Sequence, residues 1–173
     1  MTTVKAERFI LTDSNGSARA ELGMSAGGPV LAFYDGDGVP RLKLGVSDAT
    51  SGIVVFDREG HKLAELDAIR PGLVLYEHGQ VRAALGIAPL GGSLALYRDD
   101  QKPVAALGVD ADAGTSALSL YGANGEVQAK LITDSSHLFL FGADGNTAVE
   151  IACRPSSTGI TVSQGGKTVW KAP

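Results

Sequence analysis

Residues 31–46 read LAFYDGDGVPRLKLGV, and this stretch decides the fold. A short apolar run, LAFY, leads into Asp35-Gly36-Asp37-Gly38, and a second run, PRLKLGV, leads out of it. Both runs alternate with a period of two, the mark of strands with one apolar face. Asp37-Gly38 is a dipeptide that suits a hairpin turn. The unit is therefore strand, turn, strand, loop.

Working outward, the same unit recurs along the chain. Its turn position is held by Gly16, Gly38, Gly60, Gly79, Gln101, Gly125, Gly145 and Gly166, at spacings of 22, 22, 19, 22, 24, 20 and 21 residues. The runs before the turns are FILT, LAFY, IVVF, LVLY, LALY, LSLY, LFLF and ITVS; those after include ARAELGM, PRLKLGV, VRAALGI, PVAALGV and VQAKLIT. The fold expected over residues 1–173 is thus a single all-β domain of about eight hairpin repeats of roughly 22 residues, forming an antiparallel meander. The alternative is a two-sheet parallel β-solenoid, with each unit making one coil. Asn15-Gly16, Asp37-Gly38, Asn124-Gly125, Asp144-Gly145 and Gly165-Gly166 favour the meander, because such dipeptides accept positive φ at both central positions of a type I′ turn. The shorter fourth unit, LVLYEHGQVRAAL, is expected to keep its facing through a three-residue loop of Glu77, His78 and Gly79.

The alternation assigns the faces. In the first strands the inward pairs are Phe9/Leu11, Leu31/Phe33, Ile53/Val55, Leu73/Leu75, Leu94/Leu96, Leu118/Leu120, Leu138/Leu140 and Ile160/Val162. In the second strands they are Ala20/Leu22, Leu42/Leu44, Ala64/Leu66, Ala83/Leu85, Ala105/Leu107, Ala129/Leu131 and Val149/Ile151. A two-residue turn sets Leu11 opposite Ala20 and Phe9 opposite Leu22. The intervening Arg19, Glu21, Arg41, Lys43, Glu65, Arg82, Lys130 and Glu150 form a charged face. A single sheet with one leucine face has to curl closed, fold over itself or meet another copy.

Composition narrows the function. Apolar residues make up 44% and charged residues 20%, ordinary for a folded chain, and the 23 glycines are spread through many turns. A net charge of -4 without a basic run gives no footprint for nucleic acid or an anionic membrane, and the runs are too short and too charged outward for a membrane barrel. The first residues, MTTVKAERF, contain no apolar stretch of signal-peptide length, so the expected location is cytoplasmic or within an exported assembly. Cys153, the single cysteine, is expected to be a small buried apolar residue.

The one recurring constellation is aromatic. Tyr34, Phe56, Tyr76, Tyr97, Tyr121 and Phe141 stand just before successive turns and form a candidate binding ladder on the face opposite the leucines. Flat rings with polar tips suit a polysaccharide or a protein partner; the competing reading is cross-strand packing on Arg41, Arg82 and their neighbours, or a subunit contact. Asp35–Gly38 and Asp110–Gly114 resemble calcium loops but lack a closing glutamate, and His61, His78 and His137 have no zinc spacing. The serine pairs at 135–136 and 156–157 lack a nucleophile elbow, and no phosphate-binding glycine loop occurs. No cofactor and no catalytic residue is expected.

The unit LxLYDxxGxxRAxLGV, seen in FILTDSNGSARAELGM (9–24) and LAFYDGDGVPRLKLGV (31–46) with the closing VWKAP, resembles uncharacterised bacterial β-hairpin repeat proteins of this pattern. Through Tyr34-Asp35 and Phe56-Asp57 it is also distantly similar to the tyrosine-aspartate repeats of Rhs-type shells. The resemblance implies architecture: hairpin strips that extend, wrap or assemble. The function expected is a non-catalytic, self-associating structural protein, a component of a fibre, shell, or secreted or phage-like assembly. The alternative is a lectin-like module using the aromatic ladder.

Overall fold

The computed structural model describes residue 3 and residues 5–47, 51–88, 91–110, 114–133, 136–154 and 157–173. It is all β. The strands are β1 (Arg8–Thr12), β2 (Ala18–Ser25), β3 (Gly28–Tyr34), β4 (Pro40–Val46), β5 (Ser51–Phe56), β6 (Lys62–Asp67), β7 (Gly72–Glu77) and β8 (Gln80–Ala88). They continue as β9 (Gly91–Tyr97), β10 (Pro103–Asp110), β11 (Thr115–Tyr121), β12 (Val127–Ile132), β13 (His137–Phe141), β14 (Thr147–Arg154), β15 (Ser157–Gln164) and β16 (Lys167–Ala172). Strand order follows chain order, which makes eight successive hairpins in an antiparallel meander. A parallel solenoid would need neighbours one coil apart; here chain neighbours pair antiparallel. Two compact units divide the chain, Met1–Val81 and Arg82–Pro173.

The registers are those the alternation demands. In the first unit Phe9 faces Leu22, Leu22 faces Leu31, Leu31 faces Leu44, Leu44 faces Ile53 and Ile53 faces Leu66. In the second, Leu85 faces Leu94, then follow Leu107, Leu118, Leu131, Leu138, Ile151 and Ile160. Each leucine row is thus continuous across the strands of its unit, because a slip of one residue would carry it to the other face.

The turns differ from expectation. At Asp13–Ser17 only Gly16 has positive φ, at 80°. The Asp13 N–H donates to the Ser17 carbonyl, and the Gly16 N–H to the Asp13 carbonyl, both at 2.9–3.0 Å. This is a three-residue loop ending in a left-handed glycine, followed by a bulge between Leu11 and Thr12 that restores the facing. Gly38, Gly60 and Gly125 repeat it. Where the turn opens on an aspartate, its carboxylate reinforces this geometry: Asp13 Oδ1 accepts the backbone N–H groups of Asn15 and Ser17, while the turn opening on Gly122 reaches it without one. Type I′ geometry occurs in the two-residue loops at His78-Gly79 (φ 50° and 76°) and Gly165-Gly166 (56° and 73°). Glu77 is accordingly a strand residue, and the fourth loop has two residues rather than three.

Gln101 occupies the glycine position of its turn at φ 61°. A non-glycine residue there costs roughly 1–2 kcal/mol, so Gln101→Gly is expected to raise stability by up to about 1 kcal/mol. Gly125→Val, at φ 85°, is expected to lower it by about 1–3 kcal/mol. Chemical denaturation measures both; two substitutions of the same sign would contradict the turn assignment.

The leucine face is placed as expected but is not buried. Leu22, Leu44, Leu66, Leu85, Leu107 and Leu131 each keep 44–53% of their surface in the single chain. Cys153, which follows Val149 and Ile151 along β14, is exposed as well. The most enclosed side chains described, Ala32 (3% exposed), Ser119 and His137 (2%), lie on the charged face. Ala32 sits between Glu21 and Lys43 on the flanking strands, and Ser119 lies beside Lys130. Long charged side chains lay their methylenes over small neighbours, so a small residue at mid-strand is covered while a standing leucine is not.

Candidate functional site

All six ladder aromatics lie on the charged face and all are half-buried. In the first unit, the Tyr34 hydroxyl donates to Glu21 Oε2 at 3.5 Å, and Arg8 binds the same carboxylate at 2.6 Å. The Lys43 ammonium lies 5.4 Å from the Phe56 ring centre, and that of Lys62 lies 5.9 Å from the Tyr76 ring. Lys62 also donates to Glu65 Oε2 at 2.8 Å, and the Tyr76 hydroxyl donates to the same oxygen at 2.9 Å. The Lys62 hydrogen bond holds Glu65 below the usual carboxylate range, against the effect of its partial burial. Burial first, and then the bond to Glu65, push the Tyr76 hydroxyl up.

Tyr76 is thus clasped by Lys62 and Glu65 of β6, Phe56 lies beneath Lys43, and Tyr34 bonds the glutamate that Arg8 holds. The clasps are made by Lys43 and Lys62; Arg41 and Arg82 turn instead toward the turn aspartates Asp35 and Asp99. In the second unit, Phe139 stacks between His137 and Phe141 at 5.3 and 6.0 Å, and His137 Nε2 lies 3.0 Å from Glu150 Oε1. Arg98 reaches across to the Ala123 carbonyl at 2.9 Å, beside Tyr97.

A shallow groove of about 330 Å³ opens on the charged face of the first unit. Gly45, Gly52, Val30 and Val54 form its floor, and Lys43, Lys62, Glu65 and Asp67 its walls. The Lys43 and Lys62 clasps border it, so the Phe56 and Tyr76 rungs stand beside the groove.

The acidic turns use their aspartates internally. Asp35 Oδ1 accepts the backbone N–H groups of Asp37 and Val39 at 3.0 Å. Residues 111–113 of the second acidic loop, together with Ser135 and Ser156 of the serine pairs, lie outside the described residues. Among the described residues, one grouping matches no metal motif in the sequence: Asp57, Glu59 and His61, in the turn DREGH, bring ligand atoms within 4.8 Å of one another. Alternate spacing around a tight turn was its signal. His61 Nδ1 already lies 3.1 Å from Asp57 Oδ2, and all three groups are at the surface or only partly covered.

Backbone N–H donors hold several turn aspartates below the usual carboxylate range: Ser17 above all for Asp13, Ile69 for Asp67, Lys102 for Asp100 and Asn146 for Asp144. A carboxyl group with a depressed folded-state pKa stabilises fully above its unfolded value and loses that contribution as pH falls through the folded value. The melting temperature is therefore expected to be flat above about pH 5 and to fall below about pH 4, less steeply in Asp144→Asn. Thermal melts at constant ionic strength check this, and an unchanged melting point between neutrality and pH 3 would refute it.

No protein-family model matches the chain, and no curated protein is similar to it.

Proposed function

We propose that the protein is a non-catalytic structural repeat module that associates with itself through the leucine face, as a component of a fibre, shell, or secreted or phage-like assembly. The observation that carries this is the open leucine face, on which Leu22, Leu66, Leu85 and Leu107 each leave 46–53% of their surface uncovered. Strands rise about 3.3 Å per residue and lie about 4.8 Å apart, so four residues on each of nine strands outline about 570 Å². That is at the upper end of the largest apolar patches of ordinary monomers, roughly 300–600 Å², which are often functional. The resemblance of the repeat unit to assembling hairpin strips points the same way.

Sedimentation velocity at micromolar concentration tests the reading. The expected mass is at least two chains; a 17.8 kDa species persisting to millimolar concentration would overturn it.

The groove beside the Phe56 and Tyr76 clasps favours a second reading, a lectin-like module. Its glycine floor lets a sugar ring lie flat against backbone, with Lys43 and Glu65 at hand for hydroxyls. A glycan array would report it, and the signal should be lost in Lys62→Ala.

A further inference from the structure

The leucine face has two unlike rows. In the second unit the row nearer the loops is uniformly large: Leu85, Leu94, Leu107, Leu118, Leu131, Leu138. The row nearer the turns alternates from strand to strand. Ala83 pairs with Leu96, Leu96 with Ala105, Ala105 with Leu120, Leu120 with Ala129, and Ala129 with Leu140. Knobs and sockets thus recur every two strands, about 9.6 Å apart. Leu96, Leu120 and Leu140 stand 42–46% exposed, while the alanines between them are half-buried.

We infer that a second copy of this chain covers the face, its knobs Leu96, Leu120 and Leu140 entering the sockets over Ala83, Ala105 and Ala129, with the turn edges of both copies on the same side. This rests on the self-association proposed above and adds its geometry. Two face-down arrangements of a pair exist. A two-fold axis across the strands lays the alternating row over the uniform one, where knob meets leucine and each alanine leaves a void. An axis along the strands lays alternating row on alternating row, and a one-strand offset puts every knob over a socket. Close packing without voids favours the second, since a gap forfeits contact on both sides of it. Sheets stack about 10 Å apart in this aligned way.

The occupant follows from shape. The six strands β8–β13 that carry the knobs and sockets outline about 380 Å² on each copy and about 760 Å² across two, the size of a weak, reversible interface. A lipid surface or a random apolar partner has no use for alternating heights. The row that fits these knobs is the row itself.

The test is to fill the sockets and shave the knobs. In the triple variant Ala83→Leu, Ala105→Leu, Ala129→Leu the face becomes more apolar, yet homodimerisation is expected to weaken at least tenfold. The triple variant Leu96→Ala, Leu120→Ala, Leu140→Ala should also weaken. Mixing the two should recover a one-to-one dimer, because tall row then meets flat row. Sedimentation with distinguishable tags measures all three, and circular dichroism checks the sheet; should the filled triple fail to fold, Ala105→Leu alone carries the same sign.

Filled sockets that associate as tightly as the parent, or more so, would overturn the inference and leave self-association standing. Absence of the mixed dimer would also overturn the inference. Flotation of the parent with phosphatidylcholine vesicles, strengthened by the filled sockets, would assign the face to lipid instead. A monomeric parent would remove the reading beneath it.

Discussion

Replacing Leu120 with aspartate is expected to turn the associating chain into a monomer, with little loss in the stability of the single sheet. In the isolated chain Leu120 is 46% exposed, so a carboxylate there remains hydrated and costs no more than the roughly 1 kcal/mol by which aspartate disfavours strands. Against another apolar face the same carboxylate is dehydrated without a partner, which costs several kcal/mol, and a two-fold pair carries the charge twice. Association should weaken by at least a hundredfold. Lys43→Ala, on the other face, removes a cation 5.4 Å from the Phe56 ring and should cost about 0.5–1 kcal/mol with no change in mass. Sedimentation and thermal melts separate the two effects. If Leu120→Asp keeps the parent mass, the leucine face is not the interface.

How far the sequence carried this picture depends on what each residue answers to. Strand number, order, facing and register were legible because a two-residue period and a turn every 22 residues or so constrain each other: once Phe9 is set opposite Leu22, the leucine rows follow within each unit. Turn class was not, because asparagine-glycine dipeptides were read alone. The loop is longer than a type I′ turn, closed by the Asp13 N–H on the Ser17 carbonyl and the Gly122 N–H on the Glu126 carbonyl, and that length overrides the preference of the dipeptide. Burial was also misjudged at Cys153. Periodicity says which side chains share a face, and nothing about whether anything covers that face. The aromatic positions were legible as a ladder, but their clasps were not. Arg41 turns toward Asp35 in the turn, which leaves the Phe56 ring to Lys43, and no spacing in the sequence marks that choice.

The glycines near the loops supply the last prediction. Gly52, at the start of β5, lies in extended backbone against β6, and a Cβ built there would overlap the Leu66 carbonyl oxygen and lie 3.0 Å from the Leu66 carbonyl carbon. Those are main-chain atoms of a paired strand, so no side chain can swing aside to make room. Gly108, inside β10, has open space where its Cβ would stand. The two glycines answer to different demands, and the same mutation should give opposite signs. Gly52→Ala is expected to cost on the order of 3 kcal/mol by forcing β5 and β6 apart. Gly108→Ala should add about 0.5–1 kcal/mol by narrowing the unfolded ensemble. Urea unfolding of the two variants beside the parent measures the difference. Because Gly52 also floors the groove between Lys43 and Lys62, a stable Gly52→Ala protein would mean that β5 and β6 do not approach as closely as the pairing of Gly52 with Asp67 requires.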